Sequence, residues 1–263
     1  MKYIGGILGK SVNESQKIEF VGAYANSYPG TTSQITQDFA NYLPTLKEDD
    51  FLIVTYGCGH TASVTLSIIS AGWTTLTSNY INASSYDTNM IVAYKRMGTT
   101  PDSNVIFSSA GSTAASPAYT VLAFRNVDTT TAFDVSNTSS SATNTHLVDG
   151  AAITPVTRNA WIVVTGFGAI LDSTPINNKY TTQFTSSDLD IFYSAGWGDT
   201  TDGVIGTGVY TRWTTGAFNP AAWTSSSSDS SGASYQSVTM ALRPQLPTGV
   251  VTTEIPYRIG LVT

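Results

Sequence analysis

Few residues in this chain have the types and spacing that chemistry requires. In "YGCGH", residues 56–60, a cysteine and a histidine stand two apart at the end of a strand-like run. Residues two apart on a strand share a face, so Cys58 and His60 have the proximity that a thiol nucleophile and its base need. No third, orienting group accompanies them, and His146, the other histidine, sits in a polar stretch far along the chain. A zinc site would require further ligands of the same kind. A free cysteine between glycines therefore reads as a small buried hydrophobe in a bulge or tight turn.

The acidic stretch "SSDLDIFYSAGWGDTTDG", residues 186–203, offers Asp188, Asp190, Asp199 and Asp202. Calcium takes six to eight oxygens, but the spacing of a calcium-binding helix–loop–helix is absent and aspartate is a routine turn former. Glu14, Glu19, Glu48 and Glu254 form no pair of the kind that glycoside hydrolysis uses. Neither GxSxG, a phosphate-binding loop nor a dinucleotide fingerprint occurs. The expectation is a non-enzyme with no catalytic residues, no metal and no cofactor. Of the five tryptophans, Trp73, Trp161, Trp197 and Trp213 lie in or beside strand-like runs and read as core. Trp223, beside "TSSSSDSSG", is expected at the surface, where its ring would offer a glycan a stacking platform.

The elements that would position these groups are β-strands. Charged residues make up only 11% of the 263, while 41% are hydrophobic, and Ser and Thr fill the difference. With 14 Tyr, 10 Phe and 5 Trp the chain can bury enough surface to fold. The net charge of −6 supplies no basic face for nucleic acid. No apolar run approaches the roughly 18–20 residues of a membrane span, nor does the start read as an export signal, so synthesis in a cytoplasm is expected. A single cysteine leaves no intrachain disulfide, and packing must hold the fold.

Strand candidates are 17–25, 50–57, 63–69, 89–96, 119–127, 160–168, 180–185, 189–195, 208–213 and 235–243. Ile35, Phe39, Tyr42 and Leu43 have helical spacing before Pro44, which predicts one short helix. Internal similarity then orders the strands. "FLIVT" at 51–55 answers "WIVVT" at 161–165, and "AGWTTL" at 71–76 answers "AGWGDT" at 195–200. "VAYKR" at 92–96 answers "GVYTR" at 208–212, and "LAFR" at 122–125 answers "MALR" at 240–243. Phe107 to Tyr119 and Trp223 to Tyr235 repeat a spacing of twelve. Two similar halves, about 17–135 and 150–244, predict an all-β, jelly-roll-like antiparallel sandwich built from two Greek-key halves. Arg125 and Arg243 fall at matching strand ends, suited to anchoring loops or neighbouring subunits. Residues 1–16 read as an N-terminal arm and 245–263, with its prolines, as an extended C-terminal arm. Pro247, Ile255, Pro256, Tyr257 and Ile259 are its candidate partner contacts, whether it straps a neighbour or folds back.

The succession "DFLIVT", "AGWTTL", "AYKR", "SPAYTVLAFRNVD" and "SVTMALRP", across residues 50–244, resembles β-sandwich structural proteins of tailed bacteriophages. That resemblance implies a virion component acting as a homo-oligomer, with a trimer favoured. Its partners would be the major capsid protein or other virion subunits. The leading expectation is a capsid decoration (cement) protein that bridges subunits. The alternative is a tail, fibre or baseplate module that binds host glycans.

Overall fold

The computed structural model describes residues 16–28, 31–39, 41–60, 62–83, 86–109, 114–170, 184–197, 202–211, 213, 215–225 and 232–246. Among these it contains no helix, and every ladder is antiparallel. The first half supplies β1 (Glu19–Ser27), β2 (Thr31–Thr32), β3 (Gln34–Asp38), β4 (Phe51–His60), β5 (Ser67–Ile68), β6 (Thr74–Ile81), β7 (Asp87–Arg96), β8 (Asn104–Ser108) and β9 (Ala114–Arg125). The second supplies β10 (Thr138–Thr143), β11 (Trp161–Ile170), β12 (Phe184–Thr185), β13 (Ile191–Trp197), β14 (Asp202–Tyr210), β15 (Thr224–Ser225) and β16 (Ser234–Leu242).

Each half builds one whole sheet of the sandwich. The first runs β1-β9-β4-β7-β6, with β2 added beside β9, and the second runs β10-β16-β11-β14-β13. Counted along each half, the two orders are the same. The antiparallel sandwich is as expected, but a jelly roll divides the strands of its Greek keys between two sheets. Here the chain completes one sheet before starting the other. The second sheet also takes in β10, ahead of the expected start of that half at residue 150.

The sheets stack with β4 over β11, and a pseudo-two-fold axis runs between them along the strands. On this axis residues face their own counterparts. Thr55 and Thr165 touch through their hydroxyls at 2.6 Å, and Gly57 lies against the ring of Phe167. Four buried threonines join there: Thr165 to Thr207 at 2.7 Å, Thr120 to Thr207 at 2.6 Å, and Thr165 to the Gly206 carbonyl at 3.2 Å. One allocation lets all four hydroxyls donate: Thr165 to Gly206, Thr55 and Thr207 to Thr165, and Thr120 to Thr207. Around this chain pack Phe51, Ile53, Leu122 and Phe124 of one sheet against Val163, Phe167, Val209 and Met240 of the other.

The outer faces are covered too. A small sheet, β3-β8-β5, lies over the first, burying Ile35, Phe39, Val105 and Phe107 against Tyr56, Val121 and Tyr119. The pair β12-β15, with Phe218 and Trp223, covers the second. Double coverage explains why β4 and β16 are buried almost throughout and read as continuous apolar or hydroxyl-bearing runs.

Three expectations need correction. The predicted helix is β3 followed by a turn. Residues 34–38 alternate exposed and buried and pair with β8, so the period of two governs where the spacing of Ile35 and Phe39 had suggested a helix. "VAYKR" and "GVYTR" align one residue out of step. Ile53 and Val163 are equivalent, and they sit opposite Tyr94 and Val209. Tyr94 therefore packs between the sheets, whereas Tyr210 packs outward against Trp213 and Phe218. "AGWTTL" and "AGWGDT" are not counterparts at all, because Trp73 precedes β6 while Trp197 ends β13.

Candidate functional site

Cys58 is fully buried in the outer cluster of the first sheet, and burial pushes its thiol up to about 12. A nucleophile needs its thiolate near neutral pH, so this cysteine is a packing group. His60, just beyond, accepts the Ala62 N–H at Nδ1, 3.0 Å. The acidic stretch braces turns. Asp188 accepts from the Ser186 hydroxyl and the Ala221 N–H, both at 2.8 Å. Asp190 accepts from the Thr211 N–H at 2.9 Å and its hydroxyl at 2.7 Å. Asp199 and the side chain of Asp202 lie outside the described residues. Among the described residues no three His, Cys, Asp or Glu side chains gather as metal ligands.

Trp223 is not at the surface. It is 1% exposed, wedged between Phe184 and Phe192 at centroid distances of 5.3 and 5.0 Å. Phe107 sits elsewhere under the other cover, stacking on Tyr56 of β4 and Tyr119 of β9, while Trp223 lies over β13 and β14. The repeated spacing of twelve does not mark equivalent positions, because Tyr119 pairs with Tyr56 whereas Tyr235 pairs with Gly168, two residues past the counterpart of Tyr56. The Ser-rich sequence beside Trp223 suggested exposure, but the ring belongs to the cluster on the outer face of its sheet.

Arg125 and Arg243 do sit at matching strand ends, and both hold loops. Arg125 grips the fully buried Asp50 with two bonds of 2.8 Å and donates to the Thr45 carbonyl at 3.1 Å. The bond to Asp50 raises its already high pKa. Arg243 reaches Asp134 at 3.2 Å. Burial alone would raise the Asp134 carboxyl, but hydrogen bonds from Thr157, Val156 and Arg243 hold it below its ordinary value. Pro247, Ile255, Pro256, Tyr257 and Ile259 lie outside the described residues.

One feature escaped the sequence reading. Arg96 ends β7 beside a recess of about 340 Å³ that Phe51, Tyr94 and Phe133 line. Its guanidinium lies 5.3 Å over the Phe51 ring and donates to the Asp49 carbonyl at 2.8 Å and the Asp128 carbonyl at 2.6 Å. Burial lowers its pKa, and the nearby charges of Asp49 and Asp128 oppose that shift. These carboxylates neutralise the recess, which leaves it no preference for an anion.

Arg96 belongs to a wider pattern. β1, β4 and β11 begin, and β7, β9, β14 and β16 end, at one end of the sandwich. There Phe124 meets Trp161 at 6.3 Å, and the Asp128 N–H donates to the Arg243 carbonyl at 2.9 Å. Every described lysine and arginine lies at or just beyond these strand ends: Lys17, Lys47, Lys95, Arg96, Arg125, Arg158 and Arg243. The charges are legible in the sequence, but their gathering requires knowing which strand ends share a side.

Compared with models of protein families, with curated proteins and with solved structures, the chain finds no match.

Proposed function

We propose that the protein is a non-enzymatic structural component of a tailed-phage virion, acting as a capsid decoration protein that bridges subunits of the head. The phrases that carry the resemblance supply the sandwich's inner strands. "FLIVT" opens β4, "AYKR" ends β7, "AYTVLAFR" is most of β9 and "SVTMAL" ends β16. The observation that carries the reading is how the reactive groups are used. Cys58 is packed, Asp188 and Asp190 brace turns, and Arg125 and Arg243 anchor loops. A sandwich covered on both faces and held without a disulfide suits a passive, rigid building block.

The tail or baseplate reading drew on an exposed Trp223 and the Ser-rich loops; the ring is buried, and residues 226–231 lie outside the described residues. Copy number separates the two. Quantitative mass spectrometry of purified virions is expected to find this chain in numbers comparable with the major capsid subunit. A handful of copies per particle, or none, overturns the proposal.

A further inference from the structure

We infer, resting on the decoration reading, that the charged end of the sandwich seats on the particle, against a protein surface of mixed charge, and that the opposite end faces outward. Three observations converge on this end. Its exposed side chains carry both signs side by side: Lys47, Glu48 and Asp49 before β4, Arg158 before β11, Asp190 before β13. Such a mosaic fixes orientation and rejects wrong partners through complementarity, more than it adds raw affinity.

The second observation is rigidity. Lys95–Asp102 at 2.5 Å, Arg125–Asp50 at 2.8 Å and Arg243–Asp134 at 3.2 Å hold the loops here in place before any partner arrives. Pre-ordered loops lose little entropy on docking. The third is connectivity. The Gln16 N–H donates to the Gln245 carbonyl at 2.8 Å, and the Gln245 N–H donates to the Asn126 carbonyl at 2.8 Å. Residues before 16 and after 246 therefore join the sandwich at this same end.

At the opposite end the described exposed groups are neutral, as at Ser63, Asn82 and Asn144. Asp87 there is buried and turned inward, accepting from the Tyr80 hydroxyl at 2.5 Å and the Ala83 N–H at 2.7 Å. Among the described residues, no exposed charge at this end would steer a charged partner.

The test uses single-cysteine probes in the full chain, since buried Cys58 is silent toward thiol reagents while the fold stands. Lys47→Cys and Arg158→Cys report on the charged end, Ser63→Cys and Asn82→Cys on the other. Each is labelled with a maleimide, free and on purified particles. The expected result is loss of labelling at residues 47 and 158 on the particle, with 63 and 82 labelling as in the free protein. High salt, where screening shortens to about 3 Å at 1 M, is expected to restore labelling by releasing the protein. Protection of 63 and 82 instead, or equal labelling at both ends on well-occupied particles, overturns the orientation and leaves decoration standing. Particles without the chain overturn both.

Discussion

The four buried threonines between the sheets make unequal demands on one another, and that inequality is measurable. Thr165 accepts the protons of Thr55 and Thr207 while donating its own to Gly206. Thr165→Val keeps the shape but leaves two buried donors without an acceptor. Re-aiming Thr207 toward Thr120 only moves the loss along the chain. A buried unsatisfied donor costs about 1–3 kcal/mol, so the variant should lose about 2–6 kcal/mol. Thr55 donates and accepts nothing, so Thr55→Val orphans no group and should cost less than about 1 kcal/mol. Thr120→Val should be as mild, for the same reason. Thr207→Val orphans Thr120 alone and should fall between. Adding Thr55→Val to Thr165→Val removes one of the two stranded donors and should recover part of the loss. Urea unfolding of the five variants, comparing midpoints at constant slope, reads the order directly. A Thr55→Val variant as damaged as Thr165→Val would refute the allocation of protons and the reasoning built on it.

Three further outcomes follow from positions already described. A Cβ added at Gly57 would stand 2.4 Å from two ring carbons of Phe167, so Gly57→Ala should cost at least about 1–3 kcal/mol. Combining it with Phe167→Leu should cost less than the sum of the single changes in a double-mutant cycle; strict additivity would show that the ring yields freely. Cys58 should resist a thiol reagent until the chain unfolds. Because its folded pKa lies above the unfolded one, its contribution is full below about pH 8.5 and declines toward pH 12. Rapid labelling of the native protein would contradict its burial. The Asp134 carboxyl is held below its ordinary value, so its contribution is present above the unfolded pKa of about 3.9 and is lost as pH falls through the lower folded value. Asp134→Asn should weaken the protein at neutral pH and flatten the acid side of its stability profile. An unchanged profile by thermal melting would show that its hydrogen bonds carry no net preference for the charged form.

What the sequence disclosed depended on where each strand lies. β4, β9, β11 and β16 are central and covered on both faces, so their apolar runs announce them. β10 is an edge strand of sequence TSSSAT, alternating between half-buried and exposed, and nothing hydrophobic marks it. β6 is an edge as well, and most of its residues are hydroxyl- or amide-bearing. Similar halves were legible because matching core positions demand matching side chains, as at Ile53 and Val163. Register was not, since a tyrosine one step along looks like a better match than the valine that holds the equivalent place. The charged end stayed hidden for a different reason. Its members are scattered from Lys17 to Arg243, and only the antiparallel pairing brings their strand ends to one side.

Gly57 and Phe167 stand at equivalent places on the pseudo-two-fold axis. In a dimer of identical halves such a place must face itself, ring against ring or gap against gap. Joining both halves in one chain lifts that restriction, and here one copy has emptied the position that the other fills. The halves are therefore no longer exchangeable. A chain carrying two copies of either half would meet a collision or a cavity at its centre, even though its strand order would be unchanged.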